Sequence, residues 1–297
     1  SSLKRPILTS QIEHHAILNA CAAMEHLGVN VRYLPVNCHG TVQTETLEAA
    51  MDCKPRLVSI MLVNNEIGSI EPIASLANIA HKYGALFHTD AVQAVGHIPI
   101  DVNSLGIDML SASAHKFNGP KGVGFLYIRK KIPLPEYIHG GKQERNHRAG
   151  TENVPGIAGL GLATKMIYND LDMKVALMRE LKDYFIEQAE KIENTTVHGL
   201  KDEGSAPHII SLGIAGIRSE VLLHTLEDKG IYVSSGSACA SNHPAVSGVL
   251  RSIGAAQEYL DATIRFSMSE FTTKEEIDYT LETLYNCIPM LRKYTRH

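Results

Sequence analysis

The sequence predicts an α/β protein in which a large unit with a mainly parallel sheet is followed by a smaller α+β unit. In the first half, short runs rich in β-branched residues alternate with amphipathic helical stretches, a pattern typical of parallel strands covered by helices. One complete strand–helix–strand unit can be read between residues 57 and 89. The 297 residues, of which 44% are hydrophobic, suffice for two packed cores.

Five strands are predicted in the large unit, at residues 31–34, 57–62, 85–89, 109–112 and 123–128. Between the second and the third, Pro72 can begin a helix and Gly84 can end it. Apolar residues recur between them with helical spacing, at Ile73, Leu76, Ala77 and Ala80. This spacing predicts a helix with one buried face.

The smaller unit is predicted from a change in character after residue 154. Longer helices are expected at residues 156–168 and 173–192, and short strands at 209–213, 231–234 and 263–266. A last helix is expected to begin with a capping box of Thr272 and Glu275, and it carries one apolar face: Ile277, Leu281, Leu284 and Ile288. We therefore expect a large domain at residues 1–165 and a small domain at 166–297.

Composition excludes several classes of function. Lys and Arg number 28 against 32 Asp and Glu, so no broad basic surface is available for nucleic acid. No apolar run approaches the ~20 residues of a membrane span, and no apolar stretch typical of a signal peptide follows the first five residues. The five cysteines are scattered without metal-ligand spacing, which argues against zinc and against a disulfide framework. We expect a cytoplasmic protein with reduced thiols and no metal.

Polar segments follow three of the predicted strands, at residues 64–68, 90–93 and 113–116. The carboxyl ends of parallel strands are where open α/β sheets bind ligands. Lys116, beside His115, is placed to form an imine, and the Asp90 carboxylate can pair with a protonated pyridine nitrogen. Taken singly, each signal is weak, since an Asp at a strand end is more often a helix cap and an exposed Lys is usually only solvated.

The combination of motifs resembles the cysteine desulfurases, which are class V aminotransferase-like enzymes with the pyridoxal-phosphate (PLP) fold of the aspartate aminotransferase type. The matching strings occur in family order along nearly the whole chain: 12–15 (IEHH), 63–68 (VNNEIG), 88–93 (HTDAVQ), 113–116 (SAHK), 139–141 (HGG) with 144–145 (ER), 148–151 (RAGT), 234–239 (SSGSAC) and 264–267 (IRFS).

This resemblance implies a set of PLP-binding residues. Lys116 corresponds to the lysine that binds the cofactor covalently, and Asp90 to the partner of its pyridine nitrogen. His14, rather than its neighbour His15, corresponds to the histidine that stacks on the ring and also transfers protons. The remaining implied contacts are Asn65 and Gln93 to the phenolic oxygen, Ser113 and His115 to the phosphate, and Thr151 to the phosphate of a neighbouring subunit, which implies a homodimer.

The resemblance also implies the reaction, in which L-cysteine is converted to L-alanine and its sulfur is held as a persulfide on Cys239. Lys116 and His14 would move protons, and Arg265 with Asn65 would bind the substrate. For Cys239 the alternative is an inert packed thiol, but the surrounding Gly and Ser residues favour a mobile, reactive loop. For Arg265 the alternative is a salt bridge that closes the two domains. The long cysteine loop implies transfer of sulfur to a protein, either an iron-sulfur scaffold or a tRNA-thiolation carrier.

One departure from the family concerns the start of the sequence. Relatives have a further stretch before the segment that matches residues 3–10, including a turn that binds the cofactor phosphate at a helix N-terminus. If the chain is complete as given, we expect weaker PLP binding. This departure leaves open a truncated, weakly active chain that serves as a binding subunit. A selenocysteine lyase-like PLP enzyme is a second alternative to a desulfurase, since its cofactor residues would be the same.

Overall fold

The computed structural model describes residues 5–235 and 246–294. Two sheets organise this part of the chain. The first has the strand order β2-β1-β3-β4-β5-β6, with β1 Ile7–Ser10, β2 Val31–Leu34, β3 Leu57–Ser59, β4 Leu86–Asp90, β5 Met109–Ser113 and β6 Gly124–Ile128. The second has the order β7-β8-β10-β9, with β7 Thr195–His198, β8 Ile209–Ile214, β9 Ser234–Ser235 and β10 Thr263–Ser267.

Strands β1 to β5 run parallel, and only the edge strand β6 is antiparallel to its neighbour. The mainly parallel sheet predicted from the alternating pattern is therefore present. Strand β1 was not predicted, although it lies between β2 and β3, pairing Ile7 with both Val31 and Leu57. Its short sequence, ILTS, has too few apolar residues to stand out. Long-range pairing with two other strands makes it central.

Helices cover this sheet and continue into the second unit. Their bounds are α1 His15–His26, α2 Thr44–Ala50, α3 Ile73–Lys82, α4 Gln143–Asn146, α5 Val154–Tyr168, α6 Leu171–Ala189, α7 Ser219–Glu227, α8 Gly248–Ser252, α9 Gln257–Leu260 and α10 Lys274–Tyr294. The helix predicted after Pro72 is confirmed as α3, and its buried residues are the four named from the spacing. Helix α1 was missed, because only Cys21 of its twelve residues is buried and its apolar face is weak.

Two predictions about local structure were wrong. The strand expected at residues 231–234 is the two-residue β9, Ser234–Ser235. The capping box of α10 lies one residue later than expected: the Glu276 amide donates to Thr273 Oγ1 at 3.2 Å, and the Thr273 amide to Glu276 Oε2 at 2.9 Å. Thr272 Oγ1 instead accepts a hydrogen bond from the Ser269 amide in the preceding turn. The apolar face predicted for α10 is confirmed.

Two main hydrophobic cores hold these layers. The first surrounds the parallel sheet and includes Phe87 and Leu110, and the second lies against the antiparallel sheet and includes Phe185 and Leu212. Helix α5 crosses the predicted domain boundary near residue 165, and its residue Ile167 packs in the first core. The division at residue 165 stays a prediction.

Within the part of the chain that the structure covers, the helices are too short or too polar to cross a lipid bilayer.

Candidate active site

The predicted site residues gather at one edge of the parallel sheet. His14 follows β1, Asn65 lies beyond β3, Asp90 ends β4, and Lys116 lies in the turn after β5. Because these four strands are parallel and adjacent, their carboxyl ends meet at the same edge. The sheet thereby brings together residues that lie up to a hundred positions apart in the sequence.

Asp90, the last residue of β4, is buried at this edge. Its side chain is 7% exposed, and Oδ1 accepts a hydrogen bond from the Val92 amide at 3.0 Å. Burial raises the pKa of Asp90, while the Val92 amide and the nearby His14 oppose that increase. A cation facing this carboxylate would stabilise its charged form.

His14 is the N-cap of α1, and this position fixes its orientation. Its Nδ1 accepts a hydrogen bond from the Ala16 amide at 3.1 Å, so the neutral ring carries its proton on Nε2. Burial lowers the pKa of His14, and the Lys116 charge acts in the same direction, whereas Asp90 opposes it. His15 begins the helix and is exposed, with its ring centroid 6.2 Å from that of His14. The structure therefore favours His14 over His15 as the residue that faces Asp90 and Lys116.

The turn after β5 presents the lysine and two candidate anion ligands. Ser113 Oγ and His115 Nδ1 are 2.8 Å apart and form a hydrogen bond. Lys116 follows in a short 3-10 turn, and Asn118 after it has a φ of 64°, which turns the chain sharply. Lys116 and His115 line a pocket of about 280 Å³ together with Gln93. A hydroxyl, an imidazole and an ammonium at one strand end can hold a phosphate.

Arg265, on β10, connects the second sheet to this edge. Its Nη1 donates to the Asn65 carbonyl at 2.7 Å, and its Nη2 to Ser234 Oγ at 3.2 Å. The side chain lines the pocket that contains Lys116 and also a second pocket of about 170 Å³ that contains His14. The arginine therefore stands between the two pockets. Its contact with Asn65 is a hydrogen bond across the two sheets rather than the salt bridge considered from sequence.

Two predicted residues are not joined to this cluster. Thr151 is exposed just before α5, and in the described part of the chain its side chain makes no hydrogen bond to the pocket residues. Cys239 lies outside the described residues. The described residues that bound this gap are Ser235, which lines the smaller pocket, and Val246, which precedes the N-cap of α8 at Ser247.

Sequence reasoning missed a buried carboxyl group beside His14. Glu13 is 4% exposed, and its Oε1 accepts hydrogen bonds from Ser10 Oγ at 2.7 Å and from the Met61 amide at 2.9 Å. Burial raises the pKa of Glu13 to about 8. No signal in a single sequence marks it, because glutamates are almost always exposed.

A stacked pair of histidines, also missed, forms a wall of the pocket that contains Lys116. The ring centroids of His97 and His208 are 3.8 Å apart, and His208 is 4% exposed. Burial lowers the pKa of both rings. Glu270 lines the same pocket and accepts a hydrogen bond from Asn118 Nδ2 at 3.3 Å.

The donor set fits PLP. Asp90 is a buried carboxylate at the carboxyl end of β4, which suits a protonated pyridine nitrogen. His14 is oriented toward the same place by its cap hydrogen bond, and the Ser113–His115 pair supplies phosphate donors. Lys116 shares a pocket with Gln93, as covalent attachment and a contact to the phenolic oxygen require.

Comparisons with known proteins identify the family. The profile of the aminotransferase class-V family matches residues 2–280. The chain is 46% identical to cysteine desulfurase IscS of Dictyoglomus turgidum, over 98% of this chain and 74% of that protein. It is 44% identical to cysteine desulfurase IscS of Methanosarcina thermophila, over 96% and 70%.

Solved structures give the same result. A NifS-like protein superposes with a TM-score of 0.89 at 37% identity, covering 97% of this chain and 76% of that one. The NifS-like protein of Rickettsia africae superposes with a TM-score of 0.86 at 30% identity, covering 96% and 76%. The chain therefore belongs to the aminotransferase class-V family and, within it, to the PLP-dependent cysteine desulfurases.

Proposed function

We propose that this chain converts L-cysteine to L-alanine with Lys116, His14 and Cys239 as its catalytic residues. The observation that carries the proposal is that His14, Lys116 and Arg265 line two adjoining pockets at one edge of the sheet, with Asp90 close enough to His14 to interact with its charge. These residues come from different strands, and only the fold brings them together. A solved structure described as SspA in complex with cysteine, with 30% identity and a TM-score of 0.77, supports L-cysteine as the substrate.

The bound cofactor acts as an electron sink for charge that develops at the substrate Cα. In our proposal Lys116 would hold it covalently and Asp90 would keep its ring nitrogen protonated. His14 would lie against the ring, and the amides of Asn65 and Gln93 would donate to the phenolic oxygen. Ser113 and His115 would bind the phosphate on the same subunit, and Thr151 that of the partner subunit.

Substrate recognition falls to Arg265. A guanidinium can grip a carboxylate with two parallel hydrogen bonds, which fixes the position of Cα. In the structure both of its terminal nitrogens already donate, to Asn65 O and Ser234 Oγ. Each terminal nitrogen carries a second N–H, so the guanidinium can bind a substrate carboxylate while these two bonds hold it in place. Asn65 lines the same pocket as Arg265 and would share the substrate.

Proton transfer is assigned to Lys116 and His14, which line the two adjoining pockets. The Lys116 amine would take the proton from the substrate Cα. His14 is held neutral by burial, with Nδ1 fixed by the Ala16 amide, so Nε2 is the atom that exchanges a proton with the reacting groups.

The sulfur step uses the Cys239 thiolate. The thiolate attacks the substrate sulfur, an S–S bond forms, and the Cβ–S bond breaks with its electron pair left on carbon. Protonation of that carbon gives alanine, and Cys239 keeps the sulfur as a persulfide. A reduced thiol is required, which favours a reducing compartment such as the cytoplasm.

We further propose that the chain is a homodimer that passes the sulfur to a protein acceptor, such as an iron-sulfur scaffold or a tRNA-thiolation carrier. Helix α5 supports the dimer, because it is apolar on nearly all sides and leaves a row of large side chains exposed: Val154, Ile157, Leu162 and Met166. Thr151 lies directly before this helix, where a second subunit packed on α5 would meet it.

The test of the nucleophile is Cys239→Ala. We expect the visible absorption of bound PLP to be unchanged, while alanine formation with a thiol acceptor falls by at least ~100-fold, because only the attacking sulfur is lost. Cys38→Ala is the matched control, since Cys38 is an exposed thiol in a different region, and it should keep full activity. Alanine formation by Cys239→Ala at the unmodified rate would disprove this assignment.

A further inference from the structure

The turn at residues 64–67 is held rigidly at the edge of the active site. Asn64 is fully buried, and its Oδ1 accepts hydrogen bonds from the amides of Glu66 at 2.9 Å and Ile67 at 3.0 Å. Its Nδ2 donates to the Ile12 carbonyl at 2.9 Å. This side chain therefore fixes the turn internally and ties it to the segment that carries His14.

Two hydrogen bonds connect this turn to the second half of the chain. The Asn65 carbonyl accepts from Arg265, as described above. Glu66 Oε2 accepts from Ser247 Oγ. Ser247 follows Cys239 by eight residues and is 6% exposed. Adjacent residues of one turn therefore contact the carboxylate-binding arginine and the chain that leads away from the nucleophile.

The bond to Glu66 goes beyond what the helix start needs. Ser247 is the N-cap of α8, where its Oγ accepts from the Leu250 amide at 3.1 Å. Capping uses only a lone pair of the hydroxyl oxygen. The O–H group is therefore free to donate a hydrogen bond, and it donates to Glu66. A carboxylate acceptor makes this a stronger bond than one between neutral groups.

Packing and charge support the same contact. Val249 and Leu250 of α8 pack in a small core with Ile12 and Ile67, so the start of α8 is docked on the turn. Burial raises the pKa of Glu66, and the hydrogen bond from Ser247 is the largest of the effects that oppose this increase, ahead of the charges of Arg265 and His15. Glu66 also lines the pocket shared by His14 and Arg265.

We propose that Glu66 is a positioning residue for the sulfur transfer, which it serves by fixing Ser247, and with it the end of the segment that contains Cys239, relative to Arg265. This inference rests on the roles proposed above for Arg265 and Cys239. Arg265 would set where the substrate lies, and Ser247 is a fixed point eight residues after Cys239 in the sequence. The turn at residues 64–67 contacts both Arg265 and Ser247 and so holds them at a fixed separation. A displacement of reacting groups by 1 Å can lower the rate by ~100-fold.

The main test compares Glu66→Ala with Glu66→Gln. Glu66→Ala removes the acceptor, so we expect kcat to fall by about tenfold or more while KM for L-cysteine stays within twofold. In Glu66→Gln the side-chain amide oxygen can still accept from Ser247, so this variant should retain most of kcat. Glu45→Ala, which changes an exposed glutamate of α2, is the matched control and should not alter kcat.

A second readout needs neither cofactor nor turnover. Iodoacetamide labelling of Cys239, followed by mass spectrometry of its peptide, should be at least threefold faster in Glu66→Ala than in the unmodified protein. Labelling of the exposed Cys38 in the same sample is the internal control and should not change. Ser247→Gly offers an independent variant, because Gly is accepted at the N-cap of α8 but has no hydroxyl that could donate to Glu66. It should reproduce both effects even if Glu66→Ala folds poorly.

Three results would overturn the proposal. A kcat and a labelling rate of Glu66→Ala within twofold of the unmodified protein would show that the bond to Ser247 is not used. An increase in KM alone would make Glu66 a substrate contact. Equal losses in Glu66→Gln and Glu66→Ala would point to the charge instead of the Ser247 bond. Activity retained by Cys239→Ala would instead refute the assigned nucleophile, a result separate from the labelling rates.

Discussion

Glu71 offers a sharp test of how burial controls a charge in this fold. The side chain is 2% exposed, and its Oε2 accepts from the Val42 amide at 2.9 Å. Among the described residues, none pairs with its Oε1. Burial is the main cause that raises the pKa of Glu71 to about 8, and the nearby Glu13 adds to the increase. The carboxyl group is therefore protonated in the folded protein at neutral pH.

The consequence is a stability that falls as the pH rises. In the unfolded chain Glu71 ionises near its ordinary pKa of 4.5, whereas in the folded chain it keeps its proton to about 8. Between these values the folded state binds more protons, so the free energy of unfolding decreases by about 1.4 kcal/mol per pH unit. The whole interval corresponds to about 5 kcal/mol, an upper bound because a buried site can relax or admit water.

Glu71→Gln removes this dependence, because an amide does not ionise. We expect the variant to gain about 2 to 4 kcal/mol relative to the unmodified protein between pH 5 and pH 8. At every pH the variant should also lose about 1 to 3 kcal/mol of its free energy of unfolding, because the Gln amide buries additional N–H donors. The pH-dependent part is the quantity of interest.

The assay is urea unfolding followed by far-UV circular dichroism at several pH values, with protein and PLP concentrations held fixed. Glu45→Gln is the control, since solvent reaches that side chain in both states and its curve should run parallel to that of the unmodified protein. If the Glu71→Gln curve also runs parallel, Glu71 is ionised in the folded protein and the reasoning from burial fails.

Other substitutions test the remaining groups. Lys182 is 1% exposed, and burial lowers its pKa to about 7. Between that value and the ordinary pKa of 10.5, only the unfolded chain holds the proton, so the free energy of unfolding rises with pH. Lys182→Met should abolish this rise in the same urea assay. Asp90→Asn should reduce alanine formation by ~100-fold or more and shift the visible absorption of bound PLP, because an amide cannot keep the ring nitrogen protonated; an unchanged rate would contradict its role. Thr273→Ala should lower the free energy of unfolding by about 1 kcal/mol through the lost cap of α10, whereas Thr272→Ala, at the position first expected, should change it less.

Periodicity identified those elements whose apolar residues are dense and regularly spaced. Helix α3 was found with its buried face correct, because four apolar residues recur at helical spacing and all four are buried. Strand β1 was missed although it lies inside the sheet, because its four residues carry no clear pattern and become a strand through hydrogen bonds to β2 and β3. The capping box was placed one residue early because both Thr272 and Thr273 are followed three residues later by a glutamate.

The sequence by itself determined the family and the cofactor, because the family is recognised from the order of motifs such as HTDAVQ and SAHK along the chain, which can be read without a structure. It also determined which residue types could do the chemistry. The tertiary structure decided which of them meet. It placed His14 rather than His15 near Asp90 and Lys116, and it joined Arg265 to Asn65 across 200 positions of chain. It alone revealed the protonated carboxyls of Glu13 and Glu71, because a pKa depends on the surrounding solvent and charges, and these exist only once the chain has folded.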